Sequence, residues 1–145
     1  MLDLRRIKPR SGKNRFFVAP PIAIHGEPDR DSPVYALPAR ELADALLAVA
    51  LGEPRTKLID RTNDGLAMQF VQRSAVFRFP DTIDVEIIAF GAEQSSLAIY
   101  SRARYGNRDF GVNRRRVERW LAALAAKIGA GKIIQAEKLA RPASA

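Results

Sequence analysis

The sequence predicts an α+β fold, with an antiparallel sheet of about four strands and two main helices packed on one face. Four β-compatible stretches are joined by short links rich in turn residues, and two further segments carry apolar residues on one side at helical spacing. Short links favour antiparallel neighbours because parallel strands need long crossovers. The predicted strands are Thr56–Arg61, Leu66–Phe79, Ile83–Phe90 and Leu97–Tyr105. The links between them are Thr62–Gly65, Pro80–Thr82 and Gly91–Ser96.

The chain of 145 residues is long enough for one domain with its own core. Residues 1–15 are predicted to form a basic extended arm, residues 16–129 a single α+β domain, and residues 130–145 a C-terminal tail. A short helical piece is expected in the tail, around Ile133–Leu139.

Two segments near the start of the domain lack a clear helical or strand pattern. Phe16–Ala19 is a short apolar run, predicted as an edge strand or a docked extended segment. Residues 20–38 hold five of the nine prolines, which predicts an irregular connection without a regular element.

The first helix is predicted to begin near Pro38, since a missing N–H costs nothing in the first turn. Its end is marked by Gly52 and Pro54. The apolar stripe of this helix consists of Leu42, Ala45, Leu46, Val49 and Ala50.

The second helix is predicted to begin at Asn113 as N-cap and to end at Gly129. Val112 and Val117 have the spacing of a hydrophobic staple. The core stripe consists of Val117, Trp120, Leu121, Leu124 and Ile128. Its first two turns also carry four arginines, whose charge opposes the helix dipole unless anions offset it.

Alternation in the last two strands predicts how they pair. Matching their apolar faces pairs Val85 with Ser101 and Ile87 with Ile99. The same register places Asp84 opposite Arg102 and Glu86 opposite Tyr100. We therefore predict Asp84 and Arg102 as a structural ion pair.

The positive charge is unevenly distributed. The net charge is +8, and residues 1–15 carry six cations and one acid while residues 101–119 carry seven arginines and two acids. The other residues carry 11 cations and 13 acids. Blocks of positive charge favour phosphates, anionic lipid heads or acidic protein faces as partners, although a solvated surface is an equally simple explanation.

The strand-to-helix junction, residues 101–119, is the candidate site. Arginine forks and helix N-termini both bind anions, so the junction could hold a phosphate or carboxylate. The candidate residues are Arg102, Arg104, Asp109, Asn113, Arg114, Arg115 and Arg116. The alternative is that these arginines pair with the chain's own carboxylates, at Asp81, Asp84, Glu86 and Asp109, and only join sheet to helix.

Other chemistry has little support in the sequence. There is no cysteine and His25 is the only histidine, so we predict no metal site, and we assign no cofactor and no catalytic residue. Acid–base work by Asp81, Asp84 or Glu86 is conceivable, but carboxylates at alternate strand positions are typical of a solvated face. Nucleic-acid binding is a further alternative. It would use the aromatic residues near the basic segments, Phe16, Phe17, Tyr100, Tyr105 and Phe110.

The sequence predicts no transmembrane segment. Its longest apolar stretch, Ala45–Leu51, is far below the roughly 18 residues that a span needs. No apolar stretch follows the basic N-terminus, so a signal peptide is not expected. We therefore expect a cytoplasmic protein or one peripheral to the membrane, or an envelope or periplasmic protein if a leader has been removed.

The run YSRARYGNRDFGVNRRRVERWLAAL resembles the closing motif of the bacterial domain-of-unknown-function family 1499, S-R-S-R-x-G-x-x-D-x-G-V-N-R-x-R-V. The matching residues are Ser101, Arg102, Arg104, Gly106, Asp109, Gly111, Val112, Asn113, Arg114, Arg116 and Val117. Ala103 stands where the family usually has serine, and Thr82 replaces the second of an acidic pair whose first member is Asp81. The cysteine-containing N-terminal motif of many members is absent. The resemblance covers roughly residues 30–128.

This resemblance implies no known activity, substrate or cofactor, and many members are envelope-associated. With the charge pattern, it leads us to expect a non-catalytic binding or accessory domain. Such a domain would dock on a larger protein assembly or an anionic surface through the basic arm and the arginine-rich junction. The alternatives are a small anionic-ligand site or enzyme at the junction, and nucleic-acid binding.

Overall fold

The computed structural model describes residues 1–7, 14–21, 27–104 and 111–134. Within these residues it contains two α-helices and eight strands. The helices are α1 (Ala39–Gly52) and α2 (Val112–Ile128). The strands are β1 (Arg15–Ala19), β2 (Arg30–Asp31), β3 (Val34–Tyr35), β4 (Thr56–Arg61), β5 (Ala67–Arg73), β6 (Pro80–Ala89), β7 (Ser95–Ala103) and β8 (Ile133–Ile134).

The α+β class is confirmed, but the sheet is larger than about four strands and is mixed. The main order is β2-β1-β7-β6-β5-β4, with β3 and β8 pairing beside β7. β4 to β7 form the predicted antiparallel meander. β1 pairs antiparallel with β7 and parallel with β2. The apolar run Phe16–Ala19 is therefore an internal strand, with a neighbour on each side.

Both helices pack on one face of the sheet, which we call the inner face. The largest fully buried side chains there include Trp120 of α2 and Phe70 of β5, whose rings meet edge to face with centroids 5.6 Å apart. The opposite, outer face carries a second and smaller apolar cluster around Phe17 and Tyr100. Leu4 of the N-terminal segment is buried in that cluster, so residues 1–7 lie against part of the outer face.

The predicted register of the β6–β7 hairpin is wrong by two residues. Val85 pairs with Ile99 rather than with Ser101, and Asp84 lies opposite Tyr100. A shift of two residues keeps every side chain on its predicted face, so hydrophobic alternation cannot detect it. The difference arises because Ser95, predicted to lie in the loop, is the first residue of β7.

Contacts with the connection before α1 hold this end of β7. Ser95 Oγ donates to the backbone carbonyl of Leu37 at 2.8 Å, and Ser96 Oγ donates to that of Pro33 at 2.7 Å. Both serines are fully buried. The strand therefore starts earlier than its polar residues indicate.

The link between β5 and β6 also differs from the prediction. β5 ends at Arg73, and β6 begins at Pro80. Pro80–Thr82 is therefore strand, and residues 74–79 are the connecting loop. Phe77 and Phe79, which the sequence predicts in a strand, are 74% and 57% exposed in this loop.

Two segments expected to lack strands contribute short ones. β2 and β3 lie within residues 20–38, where no regular element was predicted. Ile133 and Ile134 form β8 rather than a helical piece, and they pair with Tyr35 and Val34. The remainder of the predicted tail piece lies outside the described residues. Strands of two residues are too short to show a periodic pattern.

The boundaries of α1 agree with the prediction, whereas the start of α2 does not. Pro38 is the N-cap of α1, which ends at Gly52. Gly111, in a left-handed conformation with φ of 79°, is the N-cap of α2. Asn113 lies inside the helix, and its side-chain oxygen accepts from Ser101 and Arg116. Val112, at 39% exposure, is also helical and does not stand before the cap as a staple residue would.

Candidate anion-binding site

Arg116 is the centre of a buried polar network at the start of α2. Its side chain is only 7% exposed. Nη2 donates to Asp81 Oδ2 of β6 at 2.8 Å, and Nη1 donates to Ser101 Oγ of β7 at 3.1 Å. Nε donates to Gln72 Oε1 of β5. One guanidinium thus joins the helix to three consecutive strands.

Asn113 is buried and belongs to the same network, which satisfies its side-chain polar groups. Its Oδ1 accepts hydrogen bonds from Ser101 Oγ at 2.6 Å and from Arg116 Nη1 at 2.8 Å. Its Nδ2 donates to the backbone carbonyl of Asn14 at 3.0 Å, just before β1. Buried polar groups of this kind are tolerated because they are hydrogen-bonded. Asn113 and Arg116 therefore connect sheet to helix.

Arg102 lies on the outer face, away from that network. Arg102 Nη1 is 2.6 Å from Asp84 Oδ2, although the two residues are diagonal neighbours rather than directly opposite. The Asp84 side chain is 1% exposed, and its other oxygen accepts from Gln69 Nε2 at 2.9 Å. The guanidinium of Arg102 also stacks over the ring of Tyr100 at 4.9 Å. The charge of Arg102 is thus matched within the sheet.

The arginines in the first turns of α2 point in different directions. Arg114 forms an exposed pair with Glu118 at 3.2 Å and lies over the ring of Phe16. Arg119 Nη2 is 2.7 Å from Glu53 Oε1, at the end of α1. Arg115 lies against Gly111, where an added Cβ would come within 2.9 Å of Nη1.

The candidate residues of the junction that the structure describes are therefore not brought together into one pocket. Asn113 and Arg116 share the buried network, whereas Arg102 and Arg114 form ion pairs apart from it. Asp109 lies outside the described residues, as does His25. That the junction binds an anion stays a prediction.

Arg104 is the junction residue that faces an open groove. The groove has a volume of about 530 Å³ and lies at the end of the outer face formed by β4 and β5. Nε of Arg104 donates to Thr82 Oγ1 at 3.1 Å, and the Arg104 side chain also lines the groove. The groove is lined by Arg55, Thr56, Lys57, Ile59, Val71, Arg73, Arg78 and Arg104.

Five cations line this groove, and we call them the groove cations: Arg55, Lys57, Arg73, Arg78 and Arg104. All five are exposed residues. In the part of the chain that the structure describes, none of them forms an ion pair with a carboxylate, in contrast to Arg102 and Arg116. Their like charges repel, and a bound anion would relieve that repulsion.

Two of the groove cations stand on strained backbone. Arg55 has φ of 54° and Arg78 has φ of 59°, and they are the non-glycine residues with positive φ in the described ranges. A left-handed conformation costs a residue other than glycine about 1 kcal/mol. Backbone strain tends to occur at functional sites, so its place here supports the groove as a site.

Carboxylates with displaced pKa values lie outside the groove. Burial raises the pKa of Glu53, but the hydrogen bonds and charge of Arg119 outweigh it and keep that pKa below its ordinary value. Burial also raises the pKa of Glu86, and Arg5, 3.1 Å away, offsets only part of that effect. Both residues take part in ion pairs between elements.

Sequence reasoning missed most of the groove. Arg55, Lys57, Arg73 and Arg78 lie in the part of the chain whose charges nearly cancel, so the charge sum concealed them. The β4–β5 register brings them together, because Lys57 pairs with Val71 and the Arg73 N–H donates to the carbonyl of Arg55. The cluster could have been predicted from the sequence only if the register between β4 and β5 had been known.

Within the described residues, no helix is both long and apolar enough to cross a membrane. No group of three or more His, Cys, Asp or Glu side chains there is placed to hold a metal ion.

Comparison with known proteins places the chain in a family. The model of a protein family of unknown function, DUF1499, matches residues 13–124, which extends the expected match further toward the N-terminus. No curated protein matches the chain. The match includes β1 to β7 and most of α2, and so contains the buried network and the groove. The chain therefore belongs to the DUF1499 family.

Proposed function

We propose that this protein is a non-catalytic docking domain that binds an anionic surface through the groove cations. The observation that carries the proposal is the presence of five exposed cations around one open groove without ion pairs to the described carboxylates. A surface that presents phosphate or carboxylate groups would satisfy them. Arg104 links this groove to the arginine-rich junction that the sequence singles out.

The distribution of the arginines supports a groove contact rather than one at the start of α2. Arg102 and Arg116 form short ion pairs with the chain's own carboxylates, and Arg114 pairs with Glu118. If one of these arginines bound an external anion instead, its existing ion pair would be lost, and that loss would weaken the binding. The groove cations would lose no ion pair on binding an anion. The hydrogen bonds that their side chains donate within the described residues go to backbone carbonyls or to a hydroxyl oxygen.

The groove can bind an anion without much rearrangement. Arg55 Nε donates to the carbonyl of Arg73 at 3.0 Å, and Arg73 Nη1 donates to the carbonyl of Arg78 at 2.9 Å. These bonds fix two guanidinium groups and leave other N–H groups of each available. Arginine forks held in this way suit phosphate oxygens, which accept bidentate hydrogen bonds.

The test measures binding of inorganic tripolyphosphate by titration calorimetry. The variant Lys57→Gln with Arg78→Asn removes two groove charges, and neither side chain makes a hydrogen bond within the described residues. Asparagine suits position 78 because it tolerates the left-handed backbone. The matched control is Arg40→Gln with Lys132→Gln, which removes two exposed charges elsewhere.

We expect roughly tenfold weaker binding for the groove variant, since each lost charge contact removes about 1 kcal/mol or less when solvent-exposed. The control should bind as the wild type does. If both variants weaken binding equally, only the net charge matters and the groove is not a site. Absence of binding by the wild type would also contradict the proposal.

A further inference from the structure

The loop between β5 and β6 presents three apolar side chains to solvent. Val76 is 79% exposed, Phe77 74% and Phe79 57%. The two phenylalanine rings stack on each other, with centroids 5.5 Å apart and planes 19° from parallel. Exposed apolar clusters of this kind mark sites of contact with a partner or a membrane. We call residues 74–79 the aromatic loop.

Hydrogen bonds between its ends give the aromatic loop a defined shape. The Ser74 N–H donates to the carbonyl of Phe79, and the Phe79 N–H donates to Ser74 Oγ, each at 3.0 Å. Arg73 Nη1 donates to the carbonyl of Arg78 at 2.9 Å. The exposed rings are therefore held on a closed hairpin rather than on an open segment, and no folding of the loop is needed before it binds.

The aromatic loop is continuous with the groove. Arg73 enters the loop and Arg78 lies between the two phenylalanines, and both line the groove. Ile59, 48% exposed, lines it as well. The apolar residues of the loop thus adjoin the groove through Arg73 and Arg78.

This combination is complementary to the surface of an anionic bilayer. Apolar side chains gain from entering the boundary between headgroups and acyl chains, and nearby cations gain from the anionic headgroups. The loop is less suited to nucleic acid. Val76 has no ring that could stack on a base, and a phenylalanine side chain has no polar group that could form a hydrogen bond with a base. Because Phe77 and Phe79 stack on each other, one face of each ring is already covered and is not open to a base.

We propose that the aromatic loop inserts into an anionic lipid bilayer while the groove cations bind its headgroup phosphates. This inference rests on the proposed function, since it identifies the anionic surface as lipid. Val76, Phe77 and Phe79 supply the apolar contact, and the groove cations make the binding depend on anionic lipid.

The test measures cosedimentation with vesicles of phosphatidylcholine and phosphatidylglycerol, and with vesicles of phosphatidylcholine alone. The variant Phe77→Ser with Phe79→Ser removes both exposed rings without changing the charge. The control Leu2→Ser with Leu51→Ser replaces two exposed apolar residues elsewhere, 41% and 51% exposed. All of these side chains are exposed, so the variants should fold, as circular dichroism can verify.

We expect binding to the anionic vesicles only, and at least tenfold weaker binding for the phenylalanine variant, because each ring loses part of its burial energy. The control should bind as the wild type does. The groove variant Lys57→Gln with Arg78→Asn should also bind more weakly. In a second measurement, brominated lipids should quench the fluorescence of Phe77→Trp while leaving the buried Trp120 of the wild type unquenched.

The outcomes separate the two proposals. If the phenylalanine variant binds vesicles as the wild type does, insertion is wrong, while the anion-binding groove stands as long as the groove variant binds tripolyphosphate more weakly. If neither variant alters any binding, both proposals fail. If the wild type ignores vesicles and the phenylalanine variant loses binding to a single-stranded oligonucleotide, the rings stack on bases and the membrane inference is overturned.

Discussion

Replacing Arg116 by methionine should destabilise the protein more than replacing any exposed arginine of α2. The side chain of Arg116 is 7% exposed, and its partner Asp81 is 13% exposed. The substitution removes the hydrogen bonds to Asp81, Gln72 and Ser101, and with them the ion pair between Arg116 and the partly buried Asp81 carboxylate. Breaking a buried pair from one side costs about 3–5 kcal/mol.

That cost is a large share of the total for a domain of this size, whose unfolding free energy is about 5–15 kcal/mol. The corresponding fall in the melting temperature is about 10 °C. Urea unfolding at neutral pH, followed by circular dichroism and by Trp120 fluorescence, measures both the change in stability and the cooperativity. A cycle with Asp81→Asn should give a coupling energy of at least about 2 kcal/mol.

Arg114→Met is the matched control. Arg114 also lies near the start of α2, but its side chain is 59% exposed and its partner Glu118 is 40% exposed. Its loss should cost about 1 kcal/mol or less, since exposed pairs contribute little. The reasoning is refuted if Arg116→Met costs no more than this control, or if the cycle with Asp81 shows no coupling.

Two further predictions concern the helix ends. Glu53→Gln should lower stability by about 1 kcal/mol above pH 4.5, since the lowered pKa of Glu53 means that its charged form contributes stability. That contribution is lost as the pH falls through the folded-state pKa of Glu53. The urea unfolding curves of the wild type and the variant should therefore converge in acid. A difference in stability that stays constant with pH would contradict the prediction. Gly111→Ala should cost about 1 kcal/mol, because φ is 79° there. The control Gly52→Ala, with no heavy atom within 4 Å of the added Cβ, should not destabilise.

The helices could be predicted because their signals are local. Pro38 and Gly52 mark the ends of α1, and the apolar stripe between them needs no information from the rest of the chain. The cap of α2 was misplaced for a tertiary reason. Asn113 is a good capping residue in isolation, but a buried network with Ser101 and Arg116 takes its side chain, and Gly111 supplies the left-handed turn.

The sheet was predicted only in part, because its edges depend on distant residues. The meander follows from turn residues, whereas its register depends on Ser95 and Ser96, which bind backbone carbonyls before α1. The pairing of β1 with β7 joins the two ends of the domain, and sequence periodicity contains no signal for it. The groove depends on strand register in the same way, and so the sequence pointed to Arg104 but not to its neighbours.

The position of β1 also has a consequence for the order of folding. β4 to β7 pair with neighbours that are close along the chain, so closing each hairpin costs little entropy. β1 pairs with β7, and β3 pairs with β8, across most of the length of the chain. We expect the meander to form early and both ends to be added late. On the ribosome, β1 would emerge first and yet wait for β7 before it could join the sheet.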